Sequence, residues 1–222
     1  MIVIVDYGMG NLRSIQKAVE AVGGGAIVSS KPGDIARATK IILPGVGAFG
    51  DAMKELKKLR LIKPLKKAVA SGAPFLGLCL GLQLLFERSE EAPGVRGLGI
   101  IKGSVKKFPF GKKLRRDLKV PHMGWNTVQV ASCQLPVASK KNKKNKKKNS
   151  DLLKGVPKNA HMYFVHSYYV TPKDNAIIYL TTEYGFRFVS GIQKDNVYAF
   201  QFHPEKSQKN GLRILRNFVA VH

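Results

Sequence analysis

The sequence feature that most constrains the fold of this chain is a regular alternation of strand and helix patterns up to about Gly103. The chain opens on the apolar strand pattern IVIVD, and a helical pattern over residues 12–22 follows, with its apolar residues on one face. KIILPGVGAFG then predicts a second strand and PFLGL a third, separated by an amphipathic helical region over about residues 51–71 that is interrupted at Pro64. This alternation predicts an α/β protein whose mostly parallel sheet carries helices on both faces.

Beyond about Gly103 the pattern changes to shorter extended segments, which predict antiparallel hairpins and edge strands added to the same layers. These segments are TVQV, HMYFVHSYYV, IIYLTTEY, FVSGIQ and VYAFQF, and a final helix is predicted over about residues 210–221. No linker and no internal repeat divides the chain. We therefore predict a single domain over residues 1–222 with a three-layer αβα architecture.

The chain has a formal net charge of +24, which ordinarily suggests nucleic acid or an anionic membrane as a partner. A single run, KKNKKNKKKN at residues 140–149, contributes seven lysines to this charge. The run contains no aromatic residue to stack on bases and no arginine to bind phosphate bidentately. We interpret it as part of a solvated basic loop over about residues 138–150 and predict no specific nucleic-acid partner. A polyanion-binding site is the alternative.

The N-terminal segment MIVIVDYG has no basic leader, and Asp6 interrupts an apolar stretch that is too short for a signal peptide or a membrane span. We therefore expect a soluble cytoplasmic protein without a membrane partner. Cys79 and Cys133 form no disulfide framework and lack the spacing of zinc ligands, so we predict no metal. YGMGN lacks the third glycine of a dinucleotide-binding loop, since Arg13 stands in its place, and we predict no cofactor.

Cys79 lies between two glycines in PFLGLCLGLQLLFE, after the third predicted strand and before a helical pattern. Ligands bind at the carboxyl ends of strands in an open parallel sheet. A nucleophile displayed on a sharp strand-to-helix turn needs neighbours without side chains, which Gly77 and Gly81 supply. The positive end of the following helix would favour the thiolate, which is the attacking form. The motif predicts a nucleophile, and a small packed core residue is the alternative.

The segment FQFHPEKS supplies candidates for the other groups that a cysteine nucleophile requires. A cysteine hydrolase needs a base to take and return a proton and a third group to orient that base. The predicted strand VYAFQF delivers His203 at its end, and Glu205 follows across Pro204, whose fixed φ limits how the pair can bend. We predict His203 as the base and Glu205 as the orienting group. Without the cysteine motif, a surface histidine would be the simpler interpretation.

The glycine-rich segment PGVG, residues 44–47, is a candidate for stabilising negative charge on a substrate oxygen. Its glycines allow backbone amides to turn toward an oxyanion. One predicted donor is the amide of Leu80, immediately after the nucleophile, and the other comes from the region of Val46 and Gly47. An ordinary glycine turn after a strand is the alternative.

PGVGAFG, GLCLGLQLLFE and FQFHPEKS, in this order and spacing, resemble the motifs of the class I (triad) glutamine amidotransferases. MIVIVDYGMGNLRSI, SEEAPGVRGLG, PHMGWN and YFVHSYY extend the match over nearly the whole chain and resemble the glutaminase subunits of imidazole glycerol phosphate synthases. The resemblance implies a flavodoxin-like fold and hydrolysis of L-glutamine to glutamate and ammonia through a thioester on Cys79. It also implies that Gly47, Gln83, Ser167 and Tyr168 hold the substrate.

The sequence contains no P-loop and no further length for a synthetase or cyclase domain, so we expect another chain to consume the ammonia. The resemblance implies a heterodimer with a (β/α)8-barrel cyclase subunit that makes imidazole glycerol phosphate and aminoimidazole carboxamide ribotide in histidine biosynthesis. Met123, Trp125 and Asn126 of PHMGWN would lie at the interface, and core packing is the alternative for Trp125. Two alternative functions are a glutaminase for another synthase, such as pyridoxal phosphate synthase, and a basic polyanion-binding module.

Overall fold

A computed structural model describes residues 1–109, 118–131 and 152–221 of the chain. Cys133, the lysine run at residues 140–149 and the loop predicted over residues 138–150 lie outside these ranges. Within the described residues, no helix is long and apolar enough to cross a membrane.

Strands and helices alternate in the first part of the chain, and strands dominate the rest. The first elements are β1 (Ile2–Val5), α1 (Leu12–Ala21), β2 (Ala26–Ser29), α2 (Pro32–Arg37), β3 (Lys40–Leu43), α3 (Phe49–Lys58), α4 (Ile62–Ala70), β4 (Phe75–Leu78) and α5 (Leu80–Leu84). They are followed by β5 (Arg88–Ser89), β6 (Gly103–Lys107), β7 (His122–Thr127), β8 (Gln129–Val130), β9 (His161–His166), β10 (Tyr168–Pro172), β11 (Ile178–Glu183), β12 (Arg187–Lys194), β13 (Val197–Phe200) and α6 (Gln208–Val219). Two short 3-10 helices span Asn175–Ile177 and Pro204–Lys206.

The main sheet has the strand order β2-β1-β3-β4-β13-β12-β10-β6-β5, and β11 and β8 extend it from β12. The five strands from β2 to β13 are parallel, and β12, β10 and β6 continue the sheet with antiparallel pairs. Strands β7 and β9 form a separate two-stranded antiparallel ribbon. The prediction of an α/β fold with a parallel centre and added antiparallel strands is therefore confirmed.

Helices cover both faces of the parallel strands. In β1, Val3 and Val5 belong to one core together with apolar residues of α2, α3 and α4. Ile2 and Ile4, on the opposite face, belong to a second core with residues of α1 and α6. Because successive side chains of a strand point to opposite faces, a strand buried on both sides is apolar at every position, as IVIV is.

The interruption predicted at Pro64 lies elsewhere. The break between α3 and α4 falls at residues 59–61, where Arg60 takes a left-handed φ of 58°. Pro64 is the third residue of α4, a position whose amide has no partner within the helix in any case, so proline does not interrupt it. The prediction also omitted β2 and α2, whose four and six residues are too few for a clear periodic pattern.

The helical pattern after Cys79 gives a much shorter helix than its apolar residues suggest. Helix α5 ends at Leu84 after five residues. The chain then turns back, and the carbonyl oxygens of Leu84 and Leu85 accept hydrogen bonds from the amides of Leu98 and Ile100, at 2.8 and 2.9 Å. Because these carbonyls are satisfied outside the helix, the apolar residues that follow pack in a loop.

Candidate active site

Cys79 occupies the turn from β4 to α5 in a backbone conformation that residues with a side chain rarely adopt. Its φ is 52° and its ψ is −106°. A Cβ at Gly77 would lie 3.0 Å from the Cβ of Ala199, and a Cβ at Gly81 would overlap the carbonyl oxygen of Leu43. The two glycines are therefore required for the turn to pack against its neighbours. Strain of this kind is typical of a nucleophile held on a strand-to-helix turn.

Gln201 and Val165 each form a long hydrogen bond with the sulfur of Cys79. The side-chain amide of Gln201 donates to Sγ at 3.6 Å, and the thiol donates to the carbonyl oxygen of Val165 at 3.8 Å. The Gln201 donor would also stabilise a thiolate, since a negatively charged sulfur is the better acceptor. Cys79 is buried, with 6% of its surface exposed, so access to it is through the adjoining pocket.

His203 and Glu205 form a buried hydrogen-bonded pair. Nδ1 of His203 lies 2.9 Å from Oε1 of Glu205, and their side chains are 5% and 1% exposed. Pro204 begins the 3-10 helix Pro204–Lys206, whose tight turn brings the carboxylate back toward the imidazole ring. A carboxylate only accepts hydrogen bonds near neutral pH, so Nδ1 carries the hydrogen and Nε2 is the nitrogen that faces away from Glu205.

The sheet brings Cys79 and His203 to the same edge. Strands β4 and β13 are parallel neighbours in which Leu78 pairs with Phe200. The amide of Cys79 donates to the carbonyl oxygen of Phe200 at 2.8 Å, which ties the turn to the end of β13. Residues that follow the two strands therefore emerge side by side, and the predicted nucleophile, base and orienting group meet there.

The electrostatics of His203 reflect both neighbours. Burial by itself disfavours the charged ring, but interactions with Cys79 and Glu205 outweigh it and raise the pKa of His203 to about 10. Nε2 is buried and has no hydrogen-bond partner in the described part of the chain. Catalytic hydrogen bonds often become short only when substrate is bound. At neutral pH, His203 carries a proton that it can donate.

A pocket of about 290 Å³ opens beside Cys79. It is lined by every residue predicted for glutamine binding or for the oxyanion site, namely Val46, Gly47, Leu80, Gln83, Ser167 and Tyr168. Three further lining residues were not predicted, namely Glu91, Pro121 and Val165. His166, for which the sequence leaves a pocket or a core position open, also lines it. The pocket is of the size expected for a small molecule.

Two polar side chains give this pocket its chemistry. Nε2 of Gln83 donates to the carbonyl oxygen of Tyr168 at 3.3 Å and to Oε1 of Gln201 at 3.2 Å. Both amide hydrogens are thus used, and Oε1 of Gln83 is left to accept from a ligand. Glu91, whose Oε2 accepts from the amide of Phe49 at 2.8 Å, brings a carboxylate that suits an ammonium group. The pocket can therefore recognise a ligand that carries N–H donors and a positive charge.

The predicted oxyanion site borders the pocket, but the amide of Leu80, one of its predicted donors, already forms another hydrogen bond. The amide of Leu80 donates to the carbonyl oxygen of Gly45 at 3.4 Å. Gly47 has a φ of 93°, which an L-residue would adopt only with strain. The hydroxyl of Tyr7 donates to the carbonyl oxygen of Pro44 at 2.7 Å and anchors the start of the segment. For Leu80 to serve an oxyanion, its long bond to Gly45 has to be exchanged for one to the substrate.

His166 lines the pocket, yet both of its ring nitrogens are occupied. Nδ1 lies 2.8 Å from the carbonyl oxygen of Tyr168, and Nε2 lies 3.0 Å from Nδ1 of His122. Burial lowers the pKa of His166 to about 3 and that of His122 to about 4, so both are neutral at pH 7. His166 is therefore not available as a general base.

The residues predicted to face a partner lie on β7. Met123 and Trp125 are 63% and 48% exposed, so neither is a core residue. Trp125 packs edge-to-face against Tyr163 of β9, with ring centroids 5.9 Å apart. The side chain of Asn126 faces inward, where it donates to the carbonyl oxygen of Glu183 at 2.9 Å.

Four polar residues around the site were not identified from the sequence, namely Glu91, Gln201, Ser207 and His122. Gln201 precedes His203 in FQFHPEKS, so alternation along the strand toward Cys79 was a usable signal. The Ser207 hydroxyl donates to the carbonyl oxygen of His203 at 2.7 Å and accepts from the amide of Tyr163 at 3.0 Å. Glu91 and His122 reach the site only through long-range packing and carry no local signal.

Comparison with known proteins gives consistent matches over nearly the whole chain. The family model described as "Glutamine amidotransferase class-I" matches residues 3–221. The protein "Imidazole glycerol phosphate synthase subunit HisH" of Aquifex aeolicus is 49% identical over 217 residues, covering 97% of this chain and 94% of that protein. The protein of the same description from Syntrophotalea carbinolica is 48% identical over 219 residues, covering 98% of each.

A crystal structure described as a glutamine amidotransferase shares the fold. It superposes with a TM-score of 0.71 at 18% sequence identity and covers 100% of both chains. At this identity the likeness concerns the arrangement of strands and helices alone.

Proposed function

Because this chain belongs to the class I glutamine amidotransferase family, we propose that it is the glutaminase subunit of an imidazole glycerol phosphate synthase. The observation that carries the proposal is the convergence of Cys79, on its strained turn, with the buried His203–Glu205 pair beside a pocket that contains Gln83 and Glu91. The substrate is L-glutamine, whose ammonium group suits Glu91 and whose side-chain amide reaches Cys79.

In the proposed first step, the thiolate of Cys79 attacks the carboxamide carbon of glutamine. The carbon–nitrogen bond breaks as protonated His203 donates its proton to the leaving nitrogen, which departs as ammonia. Glu205 accepts from Nδ1 of His203 throughout and keeps Nε2 aimed at the reacting atoms. The tetrahedral oxyanion is held by amides of the region of Gly47 and Leu80. The product is a thioester between Cys79 and the glutamyl group.

In the second step, His203, now neutral, takes a proton from water, and the resulting hydroxide attacks the thioester. The carbon–sulfur bond breaks, glutamate leaves, and His203 again holds its proton beside the thiolate of Cys79. Thiols are kept reduced in the cytosol, and a free nucleophilic Cys79 therefore suits a cytoplasmic location.

The partner of the proposed subunit is a (β/α)8-barrel cyclase that receives the ammonia and makes imidazole glycerol phosphate and aminoimidazole carboxamide ribotide. The register of the ribbon supports β7 as its docking strand. Exposed Met123 pairs with Val165, whose carbonyl oxygen accepts from Cys79. Exposed Trp125 pairs with Tyr163, whose carbonyl oxygen accepts from the amide of His203 at 2.9 Å. A partner on this face would thus press on strands that contact both the nucleophile and the base.

The test of the proposed function is a glutaminase assay of the chain alone, with the cyclase subunit, and with the cyclase and its nucleotide ligand. We expect glutamate release from glutamine that rises when the cyclase is added, and no comparable release of aspartate from asparagine, whose side chain is one methylene shorter. Stimulation by a pyridoxal phosphate synthase subunit instead of the cyclase would identify the alternative function.

The change Trp125→Ala is expected to weaken association with the cyclase by about 2 kcal/mol or more, because a half-exposed tryptophan on a docking strand has the properties of an interface anchor. Titration calorimetry with the folded variant measures the effect. Val130→Ala is the matched control, since Val130 is equally exposed, at 49%, but lies on β8. Equal affinity of the Trp125 variant and the wild type would contradict the assignment of β7 to the interface.

A further inference from the structure

Three polar side chains that the proposed chemistry does not use, Asn126, His122 and His166, form a hydrogen-bonded network behind the pocket, here called the polar network. Nδ2 of Asn126 lies 3.2 Å from Nε2 of His122. Nδ1 of His122 lies 3.0 Å from Nε2 of His166, and Nδ1 of His166 lies 2.8 Å from the carbonyl oxygen of Tyr168. The two histidines are 3% and 6% exposed. The polar network thus extends from strand β7 to the wall of the pocket.

The donor and the acceptor of every hydrogen bond in the polar network can be assigned. The carbonyl oxygen of Tyr168 can only accept, so Nδ1 of His166 carries a hydrogen and Nε2 of the neutral ring accepts. His122 must then donate from Nδ1 and accept at Nε2. Asn126 supplies that last hydrogen, and its orientation is fixed because Nδ2 also donates to the carbonyl oxygen of Glu183 and Oδ1 accepts from the amide of Thr127 at 2.7 Å.

The carbonyl oxygen of Tyr168 connects the polar network to the substrate pocket. It accepts from His166 and also from Nε2 of Gln83, at 3.3 Å. The second hydrogen of that Gln83 amide goes to Gln201, which in turn donates to Cys79. The Tyr168 carbonyl and Gln201 therefore fix the orientation of the Gln83 amide, which lines the pocket.

The other end of the polar network lies on strand β7, which has one inward-facing side and one exposed side. Side chains alternate along β7, so buried His122 and inward-facing Asn126 alternate with exposed Met123 and Trp125. A displacement of β7 by a molecule bound outside would shift the donor of Asn126 and the ring of His122 together.

We propose that Asn126, His122 and His166 are positioning residues that hold the Tyr168 carbonyl and, through it, the Gln83 amide, so that affinity for glutamine depends on the placement of strand β7. This inference rests on the proposed function, because it takes the ligand of the pocket to be glutamine. It predicts that the affinity for glutamine falls when these hydrogen bonds are removed.

The test is protection of Cys79 from iodoacetamide by glutamine, followed on the Cys79 peptide by mass spectrometry in the full chain without a partner. In His166→Gln, the group at the Nε2 position is kept and the donor to Tyr168 is lost. We expect the glutamine concentration that gives half-protection to rise about tenfold, the effect of one hydrogen bond. In His166→Asn, the side-chain amide replaces Nδ1 as the donor, and we expect a concentration close to that of the wild type.

A change at the far end keeps the proposal testable if the buried variants do not fold. Asn126→Asp has nearly the same size but loses both Nδ2 donors, and we expect the half-protection concentration to rise by about the same factor. Gln129→Ala, an exposed change on β8, is the control and is expected to have no effect. The alkylation rate of each variant without glutamine is measured as its own reference, so that the half-protection concentration reports glutamine affinity alone.

Two results would overturn the proposal while leaving the proposed function intact. One is wild-type protection in both His166→Gln and Asn126→Asp. The other is equal loss in His166→Gln and His166→Asn, because the donor to Tyr168 would then be irrelevant. Failure of glutamine to protect Cys79 in the wild-type chain would instead contradict the proposed function itself.

Discussion

Cys79→Ala is expected to reduce glutamate release from glutamine by about 10⁴-fold or more, because the substitution removes the atom that forms the thioester. The variant should fold, since alanine is smaller than cysteine and the turn depends on Gly77 and Gly81 rather than on the thiol. Glutamate release is measured with the cyclase subunit present, and denaturant unfolding of the variant checks that the fold is kept.

The same variant separates ammonia production from ammonia use. In complex with the cyclase, Cys79→Ala should abolish synthesis from glutamine while synthesis from added ammonium salts survives. Cys133→Ala removes the other thiol of the chain and is expected to leave both reactions unchanged. Equal loss of glutamine-dependent and ammonium-dependent synthesis in Cys79→Ala would show that Cys79 supports the complex rather than the chemistry.

Short-range sterics explain why the turn at Cys79 could be anticipated from the sequence. The pattern G-x-C-x-G places a glycine two residues before and two residues after the cysteine, and in the structure a Cβ would be crowded at Gly77 and would overlap the backbone at Gly81. The alternation of strand and helix patterns likewise predicted the layers, because strands that are apolar at every position, such as IVIV, are typical of a parallel sheet covered on both faces.

Long-range packing explains what the sequence did not reveal. Glu91 and His122 lie near the site because a loop and the β7–β9 ribbon fold over it. No local sequence pattern predicts this contact between segments that are far apart in the sequence. The extent of α5 was also misjudged, since its end is decided by carbonyls that bond to Leu98 and Ile100. Apolar content distinguishes buried from exposed positions but not a short helix from a packed loop.

The proximity of Cys79 and His203 depends on both local motifs and long-range packing. Each motif is readable alone, but their meeting depends on β13 pairing with β4 although they are far apart in sequence. A parallel sheet makes such an approach natural, because all of its strands end at one edge. Which two strands are neighbours is a property of the whole topology.

His203→Ala is expected to slow glutamine hydrolysis by about 10²–10⁴-fold, the range for loss of an acid–base group. The reason is that the ring both protonates the leaving ammonia and activates water, and its raised pKa, about 10, keeps it protonated for the first of these steps. His161→Ala is the matched control, since His161 is exposed on β9 and outside the pocket beside Cys79. Steady-state glutaminase rates of the two variants at saturating cyclase measure the difference, because His161 lines a surface pocket together with Trp125 of the proposed interface. A near-normal rate for His203→Ala would contradict the assignment of the base, and His166 could not replace it, because Tyr168 and His122 occupy both of its nitrogens.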